Sequence, residues 1–254
     1  MEPVYRTLEA LAVGIRTVQG TRVHFDGLDN IPVRGGGVLA VNHTGYLDFL
    51  PVGLGLKERG RRARFMIKSE VMEVSIMRFL VTQTHCVPVD RSAGSEAYAA
   101  AVDALRGGEL VAVYPESTIS RSFELKEFKT GAVRMAVEAG VPVIPVTVWG
   151  AQRQLSKGVA RRIGYARIPV HVAYGDPLEF NASDDVAEAT NRLREAMITQ
   201  LGRVQEGYPD APAGADWLPA RLGGGAPTPE EALVIEEAEA REKAARRASK
   251  RKGE

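Results

Sequence analysis

Residues 141–149 read VPVIPVTVW, with an apolar side chain or proline at every position but Thr147. A strand with one wet face alternates polar and apolar residues, so a run apolar at successive positions predicts a strand covered on both faces. LVAVY at 110–114 repeats the pattern. Two such strands imply a sheet sandwiched between helices.

Working outward, strand and helix signals alternate. TRVHFDG (21–27), VLAV (38–41), RFMIK (64–68), HCVPV (85–89) and IPVHVAYG (168–175) read as further strands. Between them, helical patterns cover 46–59, 69–83, 95–105, 130–140 and 185–204. The expected fold is a single α/β domain with a mixed, largely parallel sheet flanked by helices.

An amphipathic N-terminal helix precedes it. Val4, Leu8, Leu11, Ile15 and Val18 fall at spacings of four, three, four and three, one helical face. That face either packs on its own domain or lies in a membrane interface. We divide the chain into residues 1–20, the N-terminal helix and candidate membrane-surface anchor; 21–207, the α/β domain; and 208–254, an extended segment with a charged helix. The extended part is rich in Pro, Gly and Ala, and its Trp217 and Leu218 suit docking on the domain. Thr228, Pro229 and Glu231 then make a capping box for a final helix, acidic first and basic last.

With 44% hydrophobic and 26% charged residues, the composition is that of a globular protein. One cysteine, Cys86, excludes an internal disulfide and suits a reducing compartment. The net charge of +1 hides basic runs at 57–64, 161–167 and 241–252. Such runs are ordinary solvated surface, yet three of them raise an anionic partner. No apolar stretch is long enough to span a bilayer. Nucleic acid is disfavoured, because the basic runs lack interleaved aromatics.

Chemistry-bearing residues collect where strands end. His43 follows VLAV, and Asp48 lies five positions on in VNHTGYLD. A histidine can take a proton from a hydroxyl if a carboxylate holds its ring and balances the imidazolium formed. Five residues apart in one helix the two point away from each other, so His43 belongs in the loop and Asp48 one turn inside the helix, with Gly45 permitting the bend. Structural uses, a capping histidine and a helix-start aspartate, compete with this reading. Arg91 follows another strand, and Glu116, Ser117, Thr118, Ser120 and Arg121 follow a third. Lys129 stands before Thr130 and Gly131 at a helix start, a setting that favours anions.

In order, Asn42-His43 with Asp48, Pro88-Val89-Asp90-Arg91, Tyr114-Pro115-Glu116-Ser117-Thr118, Phe128-Lys129-Thr130-Gly131 and Val141 to Val146 resemble the blocks of the glycerolipid acyltransferase family, specifically lysophosphatidic acid acyltransferases. The resemblance covers roughly residues 35 to 205. It implies His43 as general base, Asp48 as its orienting partner, and Arg91 as ligand of the acceptor phosphate. Glu116, Ser117 and Thr118 would shape the acceptor site and Lys129 would add positive charge. The implied reaction moves a fatty acyl chain from acyl-CoA or acyl carrier protein to a lysophospholipid acceptor at an anionic membrane surface. The implied product is phosphatidate, for phospholipid biosynthesis. It implies no metal or redox cofactor, and a peripheral or monotopic place on the cytoplasmic face of the plasma membrane.

Three positions depart from the family. Ser117 and His85 stand where it usually has glycine, and Ile119 where it usually has arginine, so Arg121 is the candidate to supply that charge. His24 and His171 read as packing or edge residues of their strands, and Cys86 as a core residue. Two rivals remain at this stage: a hydrolase, for which no G-x-S-x-G elbow is present, and a non-catalytic lipid-binding module.

Overall fold

The computed structural model describes residues 2–90, 94–209 and 211–251. Seven strands form one sheet: β1 (Arg22–Asp26), β2 (Gly37–Val41), β3 (Ala63–Lys68), β4 (Val87–Val89), β5 (Leu110–Val113), β6 (Val143–Trp149) and β7 (Pro169–Tyr174), in the order β1-β7-β6-β2-β5-β3-β4. Every pairing is parallel except β6 with β7. The fold is thus the single α/β domain with a mixed, largely parallel sheet that the alternation predicts.

The fully apolar strands behave as expected of two-sided burial. Every residue of β2, β5 and β6 is buried. Along β2, Val38 and Ala40 enter one core while Leu39 and Val41 enter the other. The first core takes side chains from α4 (Gly94–Arg106), α5 (Gly131–Ala139) and α6 (Val186–Glu206); the second takes them from α2 (Phe49–Glu58). Gly55 of α2 admits Tyr174, whose hydroxyl donates to the Val52 carbonyl at 2.8 Å; a Cβ at Gly55 would stand 2.3 Å from that hydroxyl.

Two elements differ from expectation. The 46–59 segment becomes helical only at Phe49. The 69–83 segment splits into a 3-10 turn over Ser69–Glu73 and α3 (Ser75–Gln83), because Val74 between them is extended.

Helix α1 (Pro3–Gln19) is pinned near both ends. The Tyr5 hydroxyl donates to the Ala63 carbonyl, and the Gln19 amide donates to the Ile163 carbonyl. Between these ties its apolar stripe is only partly covered: Val4, Leu8 and Ile15 are half-buried, whereas Leu11 and Val18 are exposed. Neighbouring α3 also exposes Ile76 and Phe79. No helix among the described residues is long and apolar enough to cross a membrane.

The arginines of the basic run at 57–64 are tied internally. Arg59 pairs with Asp29, and Arg61 donates to the carbonyls of Pro32, Gly35 and Gly108. Arg62 pairs with Glu9 and Glu2, and Arg64 with Glu2 and Glu109. The run at 161–167 is mostly exposed, with Tyr165 among the arginines.

The 208–227 segment docks. Trp217 and Leu218 are buried, Trp217 meets Trp149 edge-on at 6.5 Å, and the Arg153 guanidinium covers it at 4.3 Å. Helix α7 (Pro229–Arg251) follows, with the Thr228 and Glu231 capping box in place: each backbone N–H donates to the other's side chain.

Candidate active site

Sheet register brings the two principal loops together. Ala40 of β2 pairs with Val113 of β5, so residues three further on, His43 and Glu116, leave adjacent parallel strands side by side. The His43 backbone N–H donates to Glu116 Oε1 at 2.7 Å, and the Ser120 N–H donates to the His43 carbonyl at 2.8 Å. Asn42, fully buried, clamps the end of β2 to β6: its side-chain amide donates to the Val148 carbonyl and its oxygen accepts from the Val148 N–H. The backbone carrying His43 is therefore fixed on both sides.

The His43 ring meets Asp48, with Nδ1 3.1 Å from Asp48 Oδ2. Asp48 sits at the N-cap of α2, not one turn inside it, and its side chain does not cap the helix. Instead Oδ2 accepts the backbone N–H groups of Thr44 and Gly45 at 2.9 and 2.8 Å, curling the loop around the carboxylate. Gly45 serves close packing: a Cβ there would lie 3.2 Å from Asp48 Oδ1, the Gln152 Cα and the Leu155 carbonyl. Burial pushes the Asp48 carboxyl up from its ordinary value, opposed by the His43 ring and by the two N–H groups. Asp48 is inaccessible while His43 keeps 20% of its side chain exposed, so the ring is the member of the pair that a substrate can reach. Its Nε2 has no hydrogen-bond partner among the described residues.

Glu116 is a brace. Oε2 accepts the Lys126 backbone N–H at 3.0 Å while Oε1 holds His43, so one buried carboxylate joins both loops. Burial raises its carboxyl to about 7, against the pull of those two N–H groups. Thr118 Oγ1 accepts from the Lys126 ammonium at 3.0 Å. Arg121 and Lys126 are half-buried or better and ion-paired with Glu239 and Glu236 of α7. Lys129 comes to the cluster only through its backbone, whose N–H donates to the Pro115 carbonyl at 2.9 Å, and its side chain is exposed. Arg91 lies outside the described residues.

The departures from the family pattern have a structural reading. Ser117 (φ 63°) and His85 (φ 53°) both adopt the left-handed backbone that glycine takes without strain. Ile119 is buried at 4% exposure and offers no charge.

Two residues escaped the sequence reading. The Tyr114 ring stacks on His43 with centroids 4.0 Å apart, fixing the imidazole plane from one face. Its only signal was its place before Pro115-Glu116. Lys126 was hidden in the mixed charges of ELKEFK.

A family model described as Acyltransferase matches residues 22–149. The chain belongs to the acyltransferase family. It is 28% identical over 195 residues to the 1-acyl-sn-glycerol-3-phosphate acyltransferase of Bacillus subtilis, covering 75% of this chain and 88% of that one. It is 26% identical to the human 1-acyl-sn-glycerol-3-phosphate acyltransferase alpha, covering 87% and 77%. The Arabidopsis thaliana chloroplastic enzyme LPAT1 matches at 25%, and the chain spans about half of its length (49%). The crystal structure of the 1-acyl-sn-glycerophosphate acyltransferase PlsC from Thermotoga maritima superposes with a TM-score of 0.67 at 22% identity, over 81% of each chain, a likeness of fold. This acyltransferase thus carries a His–Asp pair on the strand ends of that fold.

Proposed function

We propose that the protein transfers a fatty acyl chain from a coenzyme A or carrier-protein thioester to the free hydroxyl of 1-acylglycerol 3-phosphate. The observation that carries this reading is the His43–Asp48 pair, with Nδ1 held by a buried carboxylate and Nε2 left for a substrate proton. The activity by which both relatives are named supports the acceptor.

The step balances without an acyl-enzyme. As the acceptor oxygen attacks the thioester carbon, His43 takes the hydroxyl proton and Asp48 stabilises the imidazolium formed. The C–S bond then breaks, and the imidazolium returns the proton to the leaving thiolate. Glu116 and Asn42 act through the backbone of residues 42 and 43, keeping the ring where both substrates meet. Arg121 and Lys126 meet the acceptor phosphate, with Lys129 three residues further on and Arg91 the ligand that the family resemblance implies. Substrate approach from a bilayer is served by the exposed apolar side chains of α1 and α3, Leu11, Val18, Ile76 and Phe79, at the cytoplasmic face of the membrane.

Labelled acyl transfer from acyl-CoA and from acyl carrier protein to lysophosphatidate, with free fatty acid quantified, tests the proposal. Wild type forms phosphatidate, and His43→Ala lowers the rate by about 10²–10⁴-fold with unchanged circular dichroism. Free fatty acid as main product with acceptor present would instead identify a thioesterase.

A further inference from the structure

The acidic face of α7 covers the cations beside the His43 loop. Glu236 pairs with Lys126, Glu239 pairs with Arg121, and both contacts join parts of the chain more than a hundred residues apart. A third cation faces the same carboxylates. Burial lowers the Lys157 ammonium from its ordinary value, and it lies within electrostatic reach of Glu236, Arg121, Glu239 and Lys126. Its neighbour Gly158 packs on the guanidinium, where an added Cβ would stand 3.3 Å from Arg121 Nη1. Three cations thus lie near the two α7 carboxylates, two of them in direct ion pairs. The Arg121 Nε is buried and without a hydrogen-bond partner, a donor that the α7 carboxylates leave unused.

Helix α7 is poorly fastened otherwise. Of its first dozen residues only Ala232 is buried, while Leu233, Val234 and Ile235 are exposed. Ala232, Glu236 and Glu239 share one helical face, so over residues 229–240 the helix meets the domain chiefly through one buried methyl group and two ion pairs. Pairs this close to solvent hold weakly. The segment before the helix is different, being locked by Trp217 and Leu218. A fixed root and a loosely held arm describe a strap that opens without unfolding the domain.

We propose that Arg121, Lys126 and Lys157 form the binding site for the phosphomonoester of the acceptor, and that Glu236 and Glu239 occupy it as an internal competitor. The inference rests on the acceptor reading above for its ligand class. A phosphate dianion offers three acceptor oxygens and two charges, enough to replace both carboxylates and to reach the unused Nε. Because the competent open state is only part of the population, apparent acceptor affinity is reduced by that fraction, while turnover of the bound complex is untouched.

The full-length chain is compared with Glu236→Gln/Glu239→Gln and with Glu237→Gln, which removes a charge from the same helix away from the cations. Two readouts are taken: KM and kcat with lysophosphatidate, and amide hydrogen exchange over residues 229–241 with and without saturating sn-glycerol 3-phosphate. The expected result is a KM lowered about fivefold by the double substitution at unchanged kcat, no change with Glu237→Gln, and faster wild-type exchange in α7 on adding glycerol 3-phosphate. An unchanged KM in the double variant overturns the strap and leaves the acyltransfer proposal standing. If no variant transfers acyl chains to lysophosphatidate, the acceptor reading fails, and exchange alone decides: α7 loosened by glycerol 3-phosphate supports the site, α7 unmoved overturns it.

Discussion

The two basic clusters of this molecule have opposite fates. Arg59 to Arg64 are tied down by carbonyls and by Asp29, Glu2, Glu9 and Glu109, most of them on the domain's own sheet, turns and first helix. Arg121 and Lys126 are neutralised by a helix that little else retains. The difference teaches that a cation's role is set by how its partner is anchored. A partner held by the core makes the cation structural; a partner held only by the pair itself leaves the cation available.

The largest effect that would break this comparison is kinetic. Arg121→Ala with Lys126→Ala should lower kcat/KM for lysophosphatidate by about 10²-fold, chiefly through KM, since each charged hydrogen bond to an anion is worth roughly 1.5–3 kcal/mol. Thermal stability should fall by no more than about 1 kcal/mol, because ion pairs partly open to solvent contribute little. Equal losses in both measurements would merge the two clusters into one class. Arg64→Ala should do the reverse. It takes from Glu109 its Arg64 partner and leaves Glu2 with Arg62 alone, and should cost roughly 3 kcal/mol in urea unfolding, with KM unchanged in the remaining folded enzyme.

Carboxylates sharpen the contrast. Against the upward push of burial, Arg64 and Arg62 hold the Glu2 carboxyl below its ordinary value. Glu116, braced only by N–H groups and pushed up by burial to about 7, binds a proton in the folded chain that the unfolded chain has released above pH 4.5. Its contribution to stability is therefore complete below pH 4.5 and lost as pH rises to 7, by about 3 kcal/mol at most. Denaturation midpoints taken across that window should flatten in Glu116→Gln; an unaltered slope would assign the pH dependence to another group.

The smallest effect concerns the block between the clusters. His85 is exposed and left-handed, so His85→Gly should raise stability by about 0.5–1 kcal/mol, measured as a higher melting temperature. A loss would mean that its side chain has a role the backbone does not reveal.

Much of this architecture is legible in the sequence because local pattern and burial agree. The apolar runs of β2, β5 and β6 could only be two-sided strands, and the capping box at Thr228 formed as written. The His43–Asp48 encounter was legible from spacing, although not the way it is made: backbone N–H groups of the loop turn toward the carboxylate, a geometry that no side-chain pattern encodes. Strand order and the pairing of β1 with β7 depend on contacts distant in sequence. So do the fates of the basic runs. KERGRRAR stands out as a basic run and the cations around Arg121 do not, and only tertiary partners show which of them is tied down by the domain.

The pairing of β1 has a further consequence for how the chain is made. Its sole strand neighbour is β7, so Arg22 to Asp26 leave the ribosome long before Pro169 to Tyr174 exist to receive them. Closing that loop is the sheet's longest-range step and belongs late in folding. Through most of synthesis the nascent chain therefore holds its edge strand unpaired.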